Sequence, residues 1–109
     1  YLTLKNLSKS DQVIEFYVDK NILENSKYFE KDKKIILNQS FFNNPEEIIL
    51  RSIMQVIKRI SWKKNYPRGK KVNSLIDSIK FSNKNVKLTL SGCIIEKIQD
   101  SVIIYPEKR

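Results

Sequence analysis

The residues best able to do chemistry in this sequence are cations. Between Glu47 and Asp77 there is no acidic residue, and this window holds eight Lys and Arg residues with two large aromatic residues among them. Guanidinium and ammonium groups bind phosphate oxygens, and aromatic rings stack on nucleic-acid bases. We therefore predict a nucleic-acid-binding surface. Its candidate residues are Arg51, Lys58, Arg59, Lys63, Lys64, Arg68, Lys70 and Lys71, with Trp62 and Tyr66 as stacking candidates.

The charge of the chain is divided unevenly along its length. Residues 1–47 carry seven Lys or Arg against eight Asp or Glu, a net charge of −1, whereas residues 48–109 carry fourteen against four, a net charge of +10. A basic region of this kind is typical of proteins that bind polyanions. The simpler alternative is a solvated helix face, with Trp62 and Tyr66 packed inside because bulky aromatic residues are usually buried.

The composition excludes much other chemistry. The sequence contains no His and only two separate Gly residues, so it has no imidazole base, no His metal site and no Gly-rich phosphate loop. Without a histidine to activate it, Cys93 is predicted to be a small buried residue. Glu96, Asp100 and Glu107 are predicted to be exposed strand and turn residues. We expect no complete active site, metal or cofactor within this chain.

The length predicts a single domain over residues 1–109, with residues 1–10 as a candidate linker. Because the chain opens on Tyr1 instead of Met, we expect it to be a piece of a longer polypeptide. A single cysteine fits a reducing cytoplasm, and no apolar run approaches the ~20 residues of a membrane span. We therefore expect a cytoplasmic location without membrane contact.

The first predicted helix covers residues 11–25, with Ser10 as its N-cap. A short hairpin, or one strand after a turn, is predicted for residues 28–37. The buried face of the helix follows from the 3.6-residue period. It consists of Ile14, Tyr17, Val18 and Ile22.

The second predicted helix has the clearest start signal in the sequence and runs to about Ser61. Asn44 is its predicted N-cap, Pro45 takes the first helical position, and Glu47 is placed to close a capping box. Apolar residues at helical spacing predict its buried stripe. That stripe consists of Ile49, Ile53, Val56, Ile57 and Ile60.

A basic connector, residues 61–69, separates this helix from a third one predicted between Lys70 and Asn83. Helix-turn-helix binding to duplex DNA is disfavoured, because that motif uses a turn of about three or four residues. The third helix also has a predicted apolar face. Its members are Val72, Leu75, Ile76 and Ile79.

Three strands with alternating hydrophobicity follow, at residues 86–90, 93–98 and 102–105. The short polar segments between them favour antiparallel pairing. The predicted fold class is therefore α+β, in which helices are followed by a small C-terminal antiparallel sheet.

Four segments and their order resemble the region that follows the catalytic domain in bacterial tRNA(Ile)-lysidine synthases. The similarity covers most of residues 11–109. The chain departs from the family pattern at Ser91, where a glycine is expected, and at Pro106, where a basic residue is expected. The matching segments are Leu37-Asn38-Gln39-Ser40-Phe41-Phe42, Pro45-Glu46-Glu47 leading to Arg51, Tyr66-Pro67-Arg68-Gly69-Lys70-Lys71, and Leu88-Thr89-Leu90-Ser91-Gly92-Cys93-Ile94-Ile95.

This resemblance implies a tRNA-binding accessory domain of an ATP-dependent ligase. Enzymes of the family adenylate the wobble cytidine of tRNA(Ile) and then join lysine to it, using ATP and Mg²⁺ in an N-terminal domain of the pyrophosphatase type. The phosphate loop of that domain does not occur in this sequence. The implied partners are tRNA and the catalytic N-terminal domain of the same polypeptide. Two alternatives stay open, a stand-alone nucleic-acid-binding module and a purely structural domain.

We predict that this chain alone forms no lysidine and hydrolyses no ATP, because it contains neither a phosphate loop nor a histidine base. Incubation of the purified chain with ATP, lysine and a tRNA(Ile) transcript measures both activities. Turnover above that of a mock preparation would contradict the interpretation of the chain as an accessory domain.

Overall fold

The computed structural model describes residues 9–61, 69–81 and 85–107 and contains, within these ranges, three α-helices and five β-strands. The predicted α+β class is confirmed. None of the described helical segments is long and apolar enough to cross a membrane. In chain order the elements are α1 (Lys9–Asn25), β1 (Ser26–Phe29), β2 (Lys34–Leu37), a 3-10 helix (Gln39–Asn43), α2 (Glu46–Ile60), α3 (Gly69–Phe81), β3 (Val86–Leu90), β4 (Cys93–Ile98) and β5 (Ser101–Pro106).

All five strands belong to one antiparallel sheet in the order β1-β2-β5-β4-β3. Of the two alternatives for residues 28–37, the hairpin is confirmed, with Tyr28 opposite Ile35. The sheet is larger than the C-terminal one that the sequence predicted, because β2 pairs with β5. Ile35 and Leu37 of β2 are buried, and they need the neighbouring strand and the helices to cover them.

The core lies between one face of this sheet and the helices α2 and α3. Alternate residues of β2, β4 and β5 supply the sheet side, since successive side chains of a strand point to opposite faces. The predicted stripes of α2 and α3 supply the helix side, and all nine of their residues are buried. The helical periods of these two segments therefore predicted the core correctly.

Two predicted helix caps are wrong. Ser10 lies inside α1, whose helical backbone includes Lys9, whereas an N-cap residue has non-helical backbone angles. Helix α2 is capped at Pro45, whose carbonyl oxygen accepts hydrogen bonds from the amides of Ile48 and Ile49 at 3.0 and 3.1 Å. The helix thus begins one residue later than predicted, without a side-chain cap.

Asn44 does not cap α2 because its side chain belongs to a buried amide network centred on Asn21 of α1. Asn21 is 3% exposed, and its side-chain oxygen accepts from the amides of Asn44 at 3.0 Å and Asn25 at 2.9 Å. Its amide nitrogen donates to the carbonyl of Phe41 at 3.3 Å and the hydroxyl of Ser52 at 3.2 Å. The network joins α1 to the 3-10 helix and α2, and it satisfies polar groups that burial would otherwise penalise.

The predicted inner face of α1 is only partly correct. Val18 is 1% exposed, and Ile14 and Ile22 are half-buried, but Tyr17 is 46% exposed. Tyr17 lies at the margin of this face, whose centre is formed by Val18 and Asn21. Apolar periodicity could not identify Asn21 as an inward residue, because its burial depends on the amide network.

We predict that Asn21→Ala lowers the free energy of unfolding by about 2–3 kcal/mol, because it removes the central partner of a buried network. Urea denaturation followed by circular dichroism measures the change. Asn73→Ala is the matched control, since Asn73 is an exposed asparagine within α3 and the gain in helix propensity is the same. Equal stability changes in the two variants would contradict a structural role for the network.

Candidate nucleic-acid interface

The last turn of α2 and the residue after it contact the β3–β4 turn and strand β1. The hydroxyl of Ser61, just after α2, donates to the carbonyl oxygen of Ser91 in the β3–β4 turn. On the other side, the guanidinium carbon of Arg59 lies 4.3 Å from the centre of the Tyr28 ring in β1. A guanidinium that stacks on a ring keeps its N–H groups available at its edge, where they can donate to phosphate oxygens.

A cavity of about 250 Å³ lies where these elements meet. Lys33 reaches it from the β1–β2 turn, where the backbone is left-handed with a φ of 50°. Two cationic side chains, the Ser61 hydroxyl and the Tyr28 phenol therefore surround a space large enough for a phosphate group. The lining residues are Tyr28, Lys33, Arg59, Ile60, Ser61 and Pro106.

A second, larger cavity of about 550 Å³ separates the start of α3 from the edge strand β3. Lys70 and Lys71 are exposed in the first turn of α3 and stand at its rim, and Leu88 and Leu90 contribute apolar surface. Leu90 lines this cavity, and Ser61, which bonds to Ser91, lines the first one, so both cavities lie near the β3–β4 turn. Hydroxyl groups add hydrogen-bonding capacity to this groove, from Ser74, Ser78 and Thr89.

The described part of the predicted cation set is divided between two helices. Lys58 and Arg59 are exposed in the last turn of α2, and Lys70 and Lys71 are exposed in the first turn of α3. Arg51 lies apart from the last turn of α2. The other predicted residues, Trp62, Lys63, Lys64, Tyr66 and Arg68, lie outside the described residues.

Arg51 lies on the α1 side of α2. Its Nε donates to the Glu47 carboxylate at 2.7 Å, one helical turn earlier. Glu15 of α1 lines a cavity together with both of these residues. Two carboxylates near this guanidinium reduce the positive potential there, so Arg51 is a weaker phosphate ligand than the cations at the far end of the helix.

Sequence reasoning missed Tyr28 and Lys33 as members of this site. Both belong to the β1–β2 hairpin, in the half of the chain whose net charge is close to zero. Their proximity to Arg59 depends on the pairing of β2 with β5, which no local pattern encodes. The one sequence signal for these two site residues was the lysine-rich β1–β2 turn, which lies close to Tyr28.

The Glu96 carboxylate in β4 has structural partners. Glu96 accepts a hydrogen bond from the Tyr105 hydroxyl across the β4–β5 pair and lies 3.8 Å from the Lys87 ammonium. This hydrogen bond to the carboxylate raises the pKa of the Tyr105 hydroxyl. Asp100 is exposed in the β4–β5 turn, as predicted, whereas Glu96 and Glu107 are half-buried. Nothing in this arrangement pairs two carboxylates for acid–base chemistry among the described residues.

Cys93 is a core residue, as predicted. It is fully buried at the start of β4, and its thiol faces the carbonyl oxygen of Ile57 at 3.6 Å. Burial raises the pKa of this thiol from 9.0 to about 11, so the nucleophilic thiolate is scarce at neutral pH.

No family model, curated protein or solved structure matches this chain. The functional assignment therefore depends on two things, the geometry and charge of the described residues, and the sequence resemblance described above. The geometry places cations at two separate cavities near the β3–β4 turn.

We predict that Cys93→Ser lowers the free energy of unfolding by roughly 1–3 kcal/mol, because the new hydroxyl is buried in an apolar environment. Chemical denaturation measures the change, and RNA affinity of the folded variant should remain that of the unchanged chain. Full stability combined with an absence of RNA binding would instead assign the thiol to the site.

Proposed function

We propose that this chain is a tRNA-binding accessory domain that contacts the phosphate backbone of its RNA. The observation that carries the proposal is the position of Lys70 and Lys71 in the first turn of α3. Cations at a helix N-terminus interact unfavourably with the helix dipole, by roughly 0.3–1 kcal/mol each. In the part of the chain that the structure describes, no carboxylate forms an ion pair with either lysine.

A phosphate ligand accounts for this arrangement. Exposed amides of the first helical turn and the lysine ammonium groups all attract the same anion. Arg59 and Lys33, which line the other cavity, offer contacts to a further phosphate of the same strand. Such a surface binds through charge and backbone shape, and this mode suits a structured RNA whose wide minor groove exposes phosphates and 2′-hydroxyls.

The choice of RNA and of reaction in this proposal comes from the resemblance to bacterial tRNA(Ile)-lysidine synthases. In this proposal the domain holds tRNA(Ile) while a separate pyrophosphatase-type domain, which uses ATP and Mg²⁺, modifies the wobble cytidine. The chain itself contributes affinity and position and takes no part in the bond-forming steps. A stand-alone nucleic-acid module would use the same surface without the catalytic partner.

We predict that Lys70→Glu combined with Lys71→Glu weakens binding of a tRNA(Ile) transcript about tenfold or more. The slope of log affinity against log salt should become shallower by about 0.7 to 0.9 for each lysine–phosphate interaction that the substitutions remove. Fluorescence anisotropy titrations at several salt concentrations measure both quantities. Helicity should be retained, because glutamate is favourable in the first turn of a helix. Lys33→Glu should weaken binding in the same direction.

The matched control is Lys27→Glu combined with Lys80→Glu, which changes the net charge equally at two exposed lysines that line neither of these two cavities. Equal weakening by the two double variants would mean that only net charge matters. No change in either variant would leave the domain a structural one. A DNA duplex bound as tightly as the tRNA would favour the general nucleic-acid module.

A further inference from the structure

The outer face of α1 carries large apolar side chains that the fold leaves uncovered. Val13 is 55% exposed, Phe16 is 61% exposed and Leu23 is 83% exposed. They lie opposite Val18 and Asn21, the residues through which α1 packs on the rest of the domain. Single exposed apolar residues are common, but several on one face of a helix indicate an interaction surface.

The spacing of this face is that of a coiled-coil seam. Residues 13, 16, 20 and 23 follow the 3-4-3 pattern of two heptads, in which Val13 and Lys20 take a positions and Phe16 and Leu23 take d positions. Lys20, the one residue of this seam that is not apolar, is exposed as well. The seam therefore fits another helix better than a flat or extended partner.

From this pattern we infer that α1 pairs antiparallel with α1 of a second copy of the chain. In that register Val13 lies opposite Leu23 of the other copy, and Phe16 lies opposite Lys20. The two-fold axis repeats both contacts, so the surface is complementary to itself. Each Lys20 ammonium meets an aromatic ring and the Asp19 carboxylate of the other copy, which together compensate its charge. A parallel pair would instead place Lys20 against Lys20.

The charge distribution permits this association. The seam lies in the part of the chain with a net charge of −1, and the cations of the candidate nucleic-acid interface belong to other elements. The seam is about 15 Å long, because ten residue steps each rise 1.5 Å. A contact of this size is small, so the dissociation constant should be roughly micromolar to millimolar.

Sedimentation equilibrium of the 109-residue chain tests the inference at concentrations from about 10 µM to about 1 mM. We expect a reversible dimer whose dissociation constant rises about tenfold or more when Phe16→Glu and Leu23→Glu are combined. Phe81→Glu is the control, since Phe81 is 77% exposed at the end of α3 and should leave the dimer unchanged. A monomer throughout this range, or an equal effect of the control, would overturn the proposal.

Disulfide cross-linking tests the antiparallel register separately. A chain with both Val13→Cys and Leu23→Cys should form covalent dimers on mild oxidation, because each new thiol faces its complement in the other copy. Val13→Cys alone should not, since the two equivalent residues lie about 15 Å apart, beyond the reach of a disulfide. Cross-linking by the single variant would show a different register and contradict the antiparallel pair.

Discussion

The packing of α2 against the sheet is the constraint on which the rest of the structure depends. Ile49, Ile53 and Ile57 are each completely buried along one side of this helix, and burial of such a side chain contributes roughly 1.5–3 kcal/mol. Rotation of α2 about its axis would expose them. The position of α2 is therefore fixed, and with it the position of its last turn. This is why Arg59 lies over Tyr28 and why Ser61 reaches the β3–β4 turn.

Burial of one helix face determines where the cations lie. Lys58 and Arg59 occupy the exposed side of the last turn of α2, where positive charge interacts favourably with the helix dipole. Lys70 and Lys71 occupy the exposed side of the first turn of α3, where positive charge is unfavourable. Lys58 and Arg59 thus stabilise their own helix whether or not an anion is bound. Lys70 and Lys71 interact favourably with their surroundings only when an anion is bound. Anion binding should accordingly stabilise the fold through α3 more than through α2.

Local patterns predicted the elements whose stability depends on one continuous apolar face. The stripes of α2 and α3 and the strands β3 to β5 were predicted within one or two residues, because helical and strand periods are visible in a short window. The role of Asn21 could not be predicted, since its partners Phe41 and Ser52 are 20 and 31 residues away. The cap of α2 failed for the same reason, because Asn44 bonds to Asn21 rather than to its own helix. The sequence predicted only part of the candidate site. The cations of α2 and α3 follow from composition, whereas the placement of Tyr28 and Lys33 beside Arg59 follows only from the strand order.

Arg51 forms an ion pair with Glu47 on the side of α2 that faces α1. The i, i+4 spacing of this pair is visible in the sequence, although charge alone groups Arg51 with the other cations. By compensating Arg51, Glu47 leaves the α1 side of the domain close to neutral, in contrast to the basic cluster at the other end of α2. The proposed association through α1 is opposed by the net charge of +9 on each copy. Added salt weakens that opposition, and it also weakens the attraction between the cations and phosphate. Under the two proposals, a rise in ionic strength should therefore weaken RNA binding and strengthen association through α1.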